Sequence, residues 1–568
     1  LYLCDTVSFA TSPEPIYAAL DEAYRRLDDS RFADALWSRR PGLWSADVAV
    51  QQKIANRLGW LDSLEFVTPH LPRLRMAAES IRTSGVTDIV LLGMGGSSLA
   101  PEVLRSVEGI AAGFPRFHVL DSVDPDAVRA ALARAGSSLF VLASKSGSTI
   151  EPNVMAAEAE RRLRAAGITD PWTRFVAITD EGTALHARAT ASRFRETFVN
   201  PADIGGRYSA LSFFGLVPAA LMGLDLETMV AAGRAMADAC RDPDARRNPG
   251  LALGTLMAAA ARSGRDKLTL VMPSRFQRFG LWVEQLVAES TGKNGEGIVP
   301  ITGEAADEPV GPDRVVVQLW ADEAPDRDRA RERWQGTPHM VIDGGGLGGE
   351  FFRWEFATAA AGFLLGINPF DEPNVQQAKD ATRALLDIHS TQGRLPVPAP
   401  DGAIERVRLT LSDAARHARQ DPLEFLTLLR PGDYFALLAF LPPDEERFGL
   451  VLEDIRRHVA IRTGCASTLG YGPRYLHSTG QLHKGGPATG VFLVVTAEPD
   501  DDIAIPGEAY SFGILERAQA LGDFESLSRA GRRALHVHMP VRDPELLRRV
   551  AARLTNIGAN NLQEGAST

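Results

Sequence analysis

The sequence predicts an α/β protein with two doubly wound parallel-sheet domains, a third α/β unit at the C-terminal end and a helical cap at the N-terminal end. Three observations carry that expectation. Short runs that are apolar throughout alternate with helical stretches, which is the pattern of strands buried on both faces. The rhythm breaks off at polar or proline-rich segments and then resumes. Ahead of the first run, the apolar spacing is that of a helix.

Taken in order, Pro15 to about Ala77 repeats apolar residues such as Ile16, Leu20, Ala23 and Leu27 at three-to-four spacing, so residues 1–70 form the helical segment. Asp88–Leu92, Phe117–Leu120, Leu139–Ala143 and Phe175–Ile178 are the strands expected in a first domain over 71–241. Arg241–Pro249 is polar and twice interrupted by proline, a boundary. A second domain over 249–393 takes strands at Lys267–Met272, Gly297–Ile301, Val315–Leu319 and Met340–Ile342. Its helices fall at about Arg275–Ser290, Ala324–Trp334, Phe351–Leu365 and Pro373–Ile388. Leu395–Pro400 is a stiff proline-rich linker. The third unit, 401–568, takes strands at Tyr434–Phe440, Val491–Val495 and Ala534–His538.

The 568 residues are 45% hydrophobic and 23% charged, which excludes wholesale disorder. A net charge of −11 argues against nucleic-acid or anionic-membrane surfaces but leaves room for a local pocket that binds a small anion. Cys4, Cys240 and Cys465 show no CxxC pairing, so neither a disulfide framework nor a zinc-thiolate site is expected, and a reducing compartment is. No apolar run reaches the ~18–20 residues of a membrane span and no signal segment opens the chain, so a cytoplasmic location is expected. Residue 1 is Leu rather than Met, and the opening residues read as the middle of a longer polypeptide.

Two loops carry candidate chemistry. Gly93-Met-Gly-Gly-Ser-Ser98 leaves a predicted strand and opens a helix, where backbone amides can approach an anion. Ser98 stands where a dinucleotide fingerprint needs its third glycine, so an NAD site is not expected. The loop reads equally as a tight turn with no ligand. Ser144-Lys-Ser-Gly-Ser-Thr149 follows the third predicted strand, and its hydroxyls, lysine and glycine at a helix N-terminus suit a phosphate monoester. Its lysine precedes the glycine, against a nucleotide-binding P-loop, so a sugar phosphate is preferred. A serine-rich helix cap is the plainer alternative.

Together with Gly205-Gly-Arg-Tyr-Ser209, Gln285-Leu-Val-Ala-Glu-Ser-Thr-Gly-Lys293 and Gly366-Ile-Asn-Pro-Phe-Asp371 followed by Lys379, these loops resemble the successive motifs of the phosphoglucose isomerase family, in the right order. The stretch Leu476-His-Ser-Thr-Gly-Gln-Leu-His-Lys-Gly-Gly-Pro487 resembles the tail of the isomerase half of transaldolase/phosphoglucose isomerase fusions. The resemblance implies two sugar isomerase domains. It also implies interconversion of glucose 6-phosphate and fructose 6-phosphate through an enediol(ate), no cofactor and no metal, and a transaldolase domain ahead of residue 1. A homo-oligomer is a further expectation.

By the same resemblance Glu289 is the proton-transfer base, Arg207 the cation facing the enediolate, and Lys379 a group on the ring-opening side. Gln285 contacts the sugar, while Gly96, Ser97, Ser144, Lys145, Ser146, Ser148 and Thr149 hold substrate and phosphate. A carboxylate suits the base's task if burial raises its pKa toward neutrality; the alternative is a helix-surface glutamate pairing with Lys293. Arg207 reads otherwise as a loop tie, and Gln285 and Lys379 as exposed helical residues. The sequence departs from the family's common pattern at Glu372, where glutamine is usual, and at Asn374, where glycine is usual. It also has no histidine between Glu296 and Trp320, where the family's ring-opening histidine falls. His477 or His483, Arg314 or water, or a slow ring-opening step are the alternatives. A non-catalytic sugar-phosphate-binding module, an enzyme acting on mannose 6-phosphate as well, and a C-terminal unit that serves assembly remain beside the main reading.

Overall fold

The computed structural model describes residues 14–305, 307–320, 334 and 336–556. The expected Ala324–Trp334 helix, Cys4 and the opening residues lie wholly or almost wholly outside these.

The expected N-terminal helical pattern resolves into separate helices, Glu14–Asp29, Phe32–Trp37, Val48–Ala55, Ser63–Val67 and Leu71–Arg82. Local chemistry sets the breaks. Arg31 takes a left-handed φ of 48° ahead of the second helix, and the Asp47 carboxylate caps the third by accepting from the amides of Ala49 and Val50.

The first sheet holds β1 (Asp88–Leu92), β2 (Arg116–Leu120), β3 (Ser138–Ala143), β4 (Phe175–Asp180) and β5 (Glu196–Asn200). Its strands are all parallel, in the order β2-β1-β3-β4-β5. This doubly wound order reverses direction between β1 and β3, and open α/β sheets bind ligands beyond the carboxyl ends of the strands at such a point. The second sheet, β6 (Lys267–Val271), β7 (Val299–Ile301), β8 (Arg314–Leu319) and β9 (His339–Ile342), is also all parallel, in the order β7-β6-β8-β9.

The third sheet comprises β10 (Gly402–Ile404), β11 (Val407–Leu411), β12 (Tyr434–Phe440), β13 (Ala466–Tyr471), β14 (Gly490–Ala497) and β15 (Arg533–Met539), in the order β10-β11-β15-β14-β12-β13. Four of its strands are parallel and repeat the winding of the other sheets, while β11 runs antiparallel to β15 and to β10.

The chain forms two compact units. The first holds the described residues within Leu1–Asp121, Ala131–Gly303 and Asp313–Asp371, with the first two sheets; the second holds those within Ser122–Ala130, Glu304–Pro312 and Glu372–Thr568. The division after Asp371 differs from the expected second domain, which ran on to 393. The Pro373–Gln392 helix packs against the Phe512–Arg529 helix of its own unit, which explains its grouping.

In the first unit the core is continuous from Ile16 to Phe370. The Gly346–Leu365 helix is buried along nearly its whole length and packs against the Leu226–Ala239, Pro249–Arg262 and Phe279–Thr291 helices. The Pro249–Arg262 helix, capped by Asn248 accepting from the amides of Gly250 and Leu251, was not among the expected elements. Among the described residues, no helix is long and apolar enough to cross a membrane. Cys240 and Cys465 are buried free thiols.

Candidate active site

The first unit holds most of the candidate residues, and those of its first sheet lie in loops at the carboxyl ends of the strands. The loop after β1 carries Gly96 and Ser97, both buried, and the loop after β3 carries Ser144–Thr149. These are the two loops that flank the reversal of winding between β1 and β3. Arg207 follows β5 in a short 3-10 turn, Gly206–Tyr208. The loop after β1 and the turn after β5 are pressed together so closely that a Cβ on Gly96 would lie 1.9 Å from the carbonyl oxygen of Gly206. Gly96 therefore admits the backbone of Arg207's own turn.

In the Ser144–Thr149 loop the hydroxyls bond one another. Ser144 Oγ donates to Thr149 Oγ1 at 3.3 Å, and Ser148 Oγ to Ser146 Oγ at 3.1 Å. The amides of Gly147 and Ser148 donate to Ser144 Oγ at 3.1 Å and Ser146 Oγ at 3.3 Å, and Thr149 begins the Ile150–Ala165 helix without a side-chain cap bond, which sets the loop at a helix N-terminus. Lys145 is turned to the acidic side: its ammonium pairs with Asp180 and donates to the carbonyl of Ala202 at 2.7 Å. Burial raises the Asp180 carboxyl above its ordinary range, against the opposing pull of Lys145.

Arg207 is 5% exposed and bonded on several sides. Its Nε donates to Ser290 Oγ at 2.8 Å, and its Nη2 to the carbonyls of Pro369 at 2.9 Å and Asp371 at 3.0 Å. Its Nη1 lies 3.5 Å from Glu289 Oε1. Glu289 is 8% exposed on the Phe279–Thr291 helix, which places it in the interior rather than on a helix surface. Gln285, one turn earlier on the same face, donates from Nε2 to Glu289 Oε2 at 3.3 Å. The arrangement sets one carboxylate and one guanidinium side by side in a largely water-excluded place, where each charge acts strongly on whatever comes between them.

A second layer holds that pair. Tyr208 is buried, its hydroxyl 3.4 Å from Ser290 Oγ, and burial raises its phenol well above the ordinary value, so it stays a neutral hydrogen-bonding group. Lys293 pairs with Asp371 at 2.8 Å and donates to the carbonyl of Asn368 at 2.5 Å, which fixes the Gly366–Asp371 stretch whose carbonyls receive Arg207. Ser290, Tyr208 and the Pro369 and Asp371 carbonyls were not assigned from sequence, although all fall inside the quoted motifs. Their partners are more than 80 positions away, beyond any local pattern. Glu284, also unassigned, accepts from Thr302 Oγ1 at 2.9 Å, and burial pushes its carboxyl up to about 7.

The phosphoglucose isomerase family matches residues 72–311, a span that holds Gly96, Ser144–Thr149, Arg207, Gln285 and Glu289. Over that span the chain is similar to phosphoglucose isomerases. Curated relatives include the glucose-6-phosphate isomerase of Parasynechococcus marenigrum, 28% identical over 447 residues, covering 69% of this chain and 78% of the relative. That of Trichormus variabilis is 32% identical over 276 residues, covering 47% of this chain and 50% of the relative. A solved glucose-6-phosphate isomerase from Chlamydia trachomatis is similar in fold, with a TM-score of 0.50 at 18% identity, covering 66% of this chain and 86% of that one.

The remaining candidates lie outside the phosphoglucose isomerase match. Lys379 is an exposed residue of the Pro373–Gln392 helix in the second unit. His477 is half-buried in the turn after β13. His483 is buried among the rings of Tyr434, Tyr475 and Phe492, and burial with the nearby Lys484 and Arg532 drives its pKa well below the ordinary 6.5, so it stays neutral. Arg314 opens β8 at the amino end of the second sheet, buried and donating to Thr269 Oγ1 at 2.8 Å.

Proposed function

We propose that this protein is an aldose–ketose isomerase that interconverts glucose 6-phosphate and fructose 6-phosphate through an enediol(ate). The observation that carries the reading is the buried Glu289–Arg207 pair, 3.5 Å apart inside the phosphoglucose isomerase match. Glu289 takes the proton from one of the two carbons C1 and C2 and returns it to the other, which requires a carboxylate screened from water and held by Gln285. Arg207 is always charged and stabilises the negative charge that develops on the enediolate oxygens. Its bonds to Ser290, Pro369 and Asp371 fix the guanidinium before the reaction begins, so little reorganisation is needed in the transition state.

The phosphate is assigned to the Ser144–Thr149 loop, where amides and the hydroxyls of Ser144, Ser146, Ser148 and Thr149 supply donors. Lys145 contributes less charge than its position suggests, because Asp180 already neutralises it. Lys379 enters the proposal on its motif, as a group for ring opening.

The test is conversion of fructose 6-phosphate to glucose 6-phosphate by the wild type and Glu289→Gln at equal folded concentration. A loss of about 10²–10⁴-fold in kcat, with sugar phosphate still bound, is expected for a general base. Absence of turnover in both proteins, with binding intact, would replace the isomerase by a sugar-phosphate-binding module.

A further inference from the structure

The Leu476–Pro487 motif belongs to the second unit, and its two histidines do not account for it. Its polar contacts lead instead to the helix that carries Lys379. That helix starts with a deficit. The first residues of any helix leave amide donors without intrahelical acceptors, and here Glu372, at the cap position, makes no side-chain cap bond. Pro373 has no N–H, so the amide of Asn374 is the first the helix must satisfy. Gln481 satisfies it from a distance of 107 residues: its Oε1 accepts from the Asn374 amide at 2.8 Å, and its Nε2 donates to Asn374 Oδ1 at 2.8 Å. The Gln481 side chain is fully buried while Asn374 is half-buried, so losing the bonds would leave the buried amide group of Gln481 without these partners.

Gln481 is itself held in place. Three residues on, Lys484 pairs with Asp523 Oδ1 at 2.5 Å, with neither side chain more than 2% exposed, and Tyr475 donates to Asp523 Oδ2 at 2.7 Å. Arg532 donates to the carbonyls of Lys484 at 2.6 Å and Gly486 at 2.7 Å. The neutral His483 ring fills the apolar space between Tyr434, Tyr475 and Phe492. Asp523 lies on the Phe512–Arg529 helix, and its neighbour Gly522 meets the Lys379 helix directly. A Cβ at 522 would stand 3.1 Å from the Thr382 amide nitrogen, one turn beyond Lys379. One helix thus fixes the Lys379 helix at Thr382 and, through Lys484, supports the residue that caps its start.

We propose that Gln481 is a positioning residue for Lys379, acting through its two bonds to Asn374. The inference rests on the reading of Lys379 as a ring-opening group. The second bond requires a side-chain oxygen at 374, which Asn374 supplies.

Both readings are tested on the full chain with Lys379→Ala, Gln481→Ala, the double variant and Asn374→Asp, following kcat and KM for fructose 6-phosphate. Lys379→Ala should lower kcat by about 10²-fold. Gln481→Ala should lower it about tenfold, with KM held within twofold, as for a group displaced by a fraction of an ångström. The double variant should be no slower than Lys379→Ala, because Gln481 has then nothing left to position. Asn374→Asp keeps the acceptor and should stay close to wild type. If Gln481→Ala does not fold, Gln481→Met keeps the volume and takes its place. A tenfold effect of Gln481→Ala that persists in the Lys379→Ala background, or normal turnover by Gln481→Ala, overturns the proposal. Normal turnover by Lys379→Ala overturns the catalytic reading of Lys379 first, and the proposal with it.

Discussion

The first and third sheets share a winding and use it differently. In β2-β1-β3-β4 and in β13-β12-β14-β15 the chain reverses between two central strands, leaving a place for a ligand beyond their carboxyl ends. In the first sheet that place is edged by Gly93–Ser98 and Ser144–Thr149, made mostly of glycine, serine and threonine, whose small side chains occupy little of the space. In the third it is filled by the protein's own charges. Arg517 pairs with Glu498, and His538 Nε2 lies 3.2 Å from the same carboxylate. Arg542 reaches Asp124 at 2.6 Å, Asp126 at 2.7 Å and Glu516 at 3.5 Å. About 10 Å³ remains, room for a single water at most. Burial pushes His536 down to about 3, so even the histidines behind this edge stay uncharged. Topology offers a position, and loop composition decides whether it becomes a site or a clasp.

The largest expected effect would break the clasp. Arg542→Met leaves Asp124 buried without its cation and should destabilise the protein by about 3–5 kcal/mol, read as a lower denaturant midpoint. KM for fructose 6-phosphate should be unchanged while the protein is folded. A variant that keeps its stability and loses turnover would make the third sheet's edge a functional site and end the contrast.

At the first sheet, Gly96→Ala puts a methyl group where Gly206 O stands and should displace Arg207. A fall in kcat of about 10²-fold is expected from a shift of that order. Wild-type kcat in a folded Gly96→Ala protein would separate the loop contact from Arg207's placement.

The smallest effect sharpens the electrostatic side of the comparison. Glu284, raised from 4.5 to about 7 by burial, keeps a proton in the folded chain that the unfolded chain has released. Its contribution therefore favours folding least at high pH: stability falls as pH rises from about 4.5 to 7 and levels off above. Glu284→Gln keeps the acceptor for Thr302 and should flatten that part of the melting-temperature profile, raising the midpoint at pH 8 by a few degrees. An unchanged slope between pH 4.5 and 7 would remove Glu284 from the account.

Strands buried on both faces announced themselves in the sequence. β1, β3, β4, β6, β8, β12, β14 and β15 appear within a residue or two of the apolar runs that predicted them, because a continuous run is what two-sided burial requires. The strands without a prediction were β5, β10, β11 and β13. Three of them are edge strands, and Glu196-Thr-Phe-Val-Asn200 or Ala466-Ser-Thr-Leu-Gly-Tyr471 mix polar with apolar residues because one side faces no strand. The Pro249–Arg262 helix went unread for the opposite reason: it is buried on nearly every side and has no polar stripe to mark a period. At the site, the motifs singled out Glu289, Arg207 and Gln285, which the fold gathers. The sequence carried no sign of the carbonyls at 369 and 371 that grip Arg207, since backbone atoms have no residue type. Nor did it show that Lys145 is already paired, or that Gln481 caps a helix from 107 positions away.

Arg207's dependence on Pro369 and Asp371 has a consequence for synthesis. The first sheet can close once residue 200 has been made, yet the carbonyl that holds Arg207 arrives 162 residues after it. At translation rates of ~5–20 residues per second, the nascent chain spends about 10–30 s with its first sheet complete and its arginine without these carbonyls. The Arg207 guanidinium of a newly made first sheet is therefore fully held only after a much later stretch of the same unit, Pro369–Asp371, has been made.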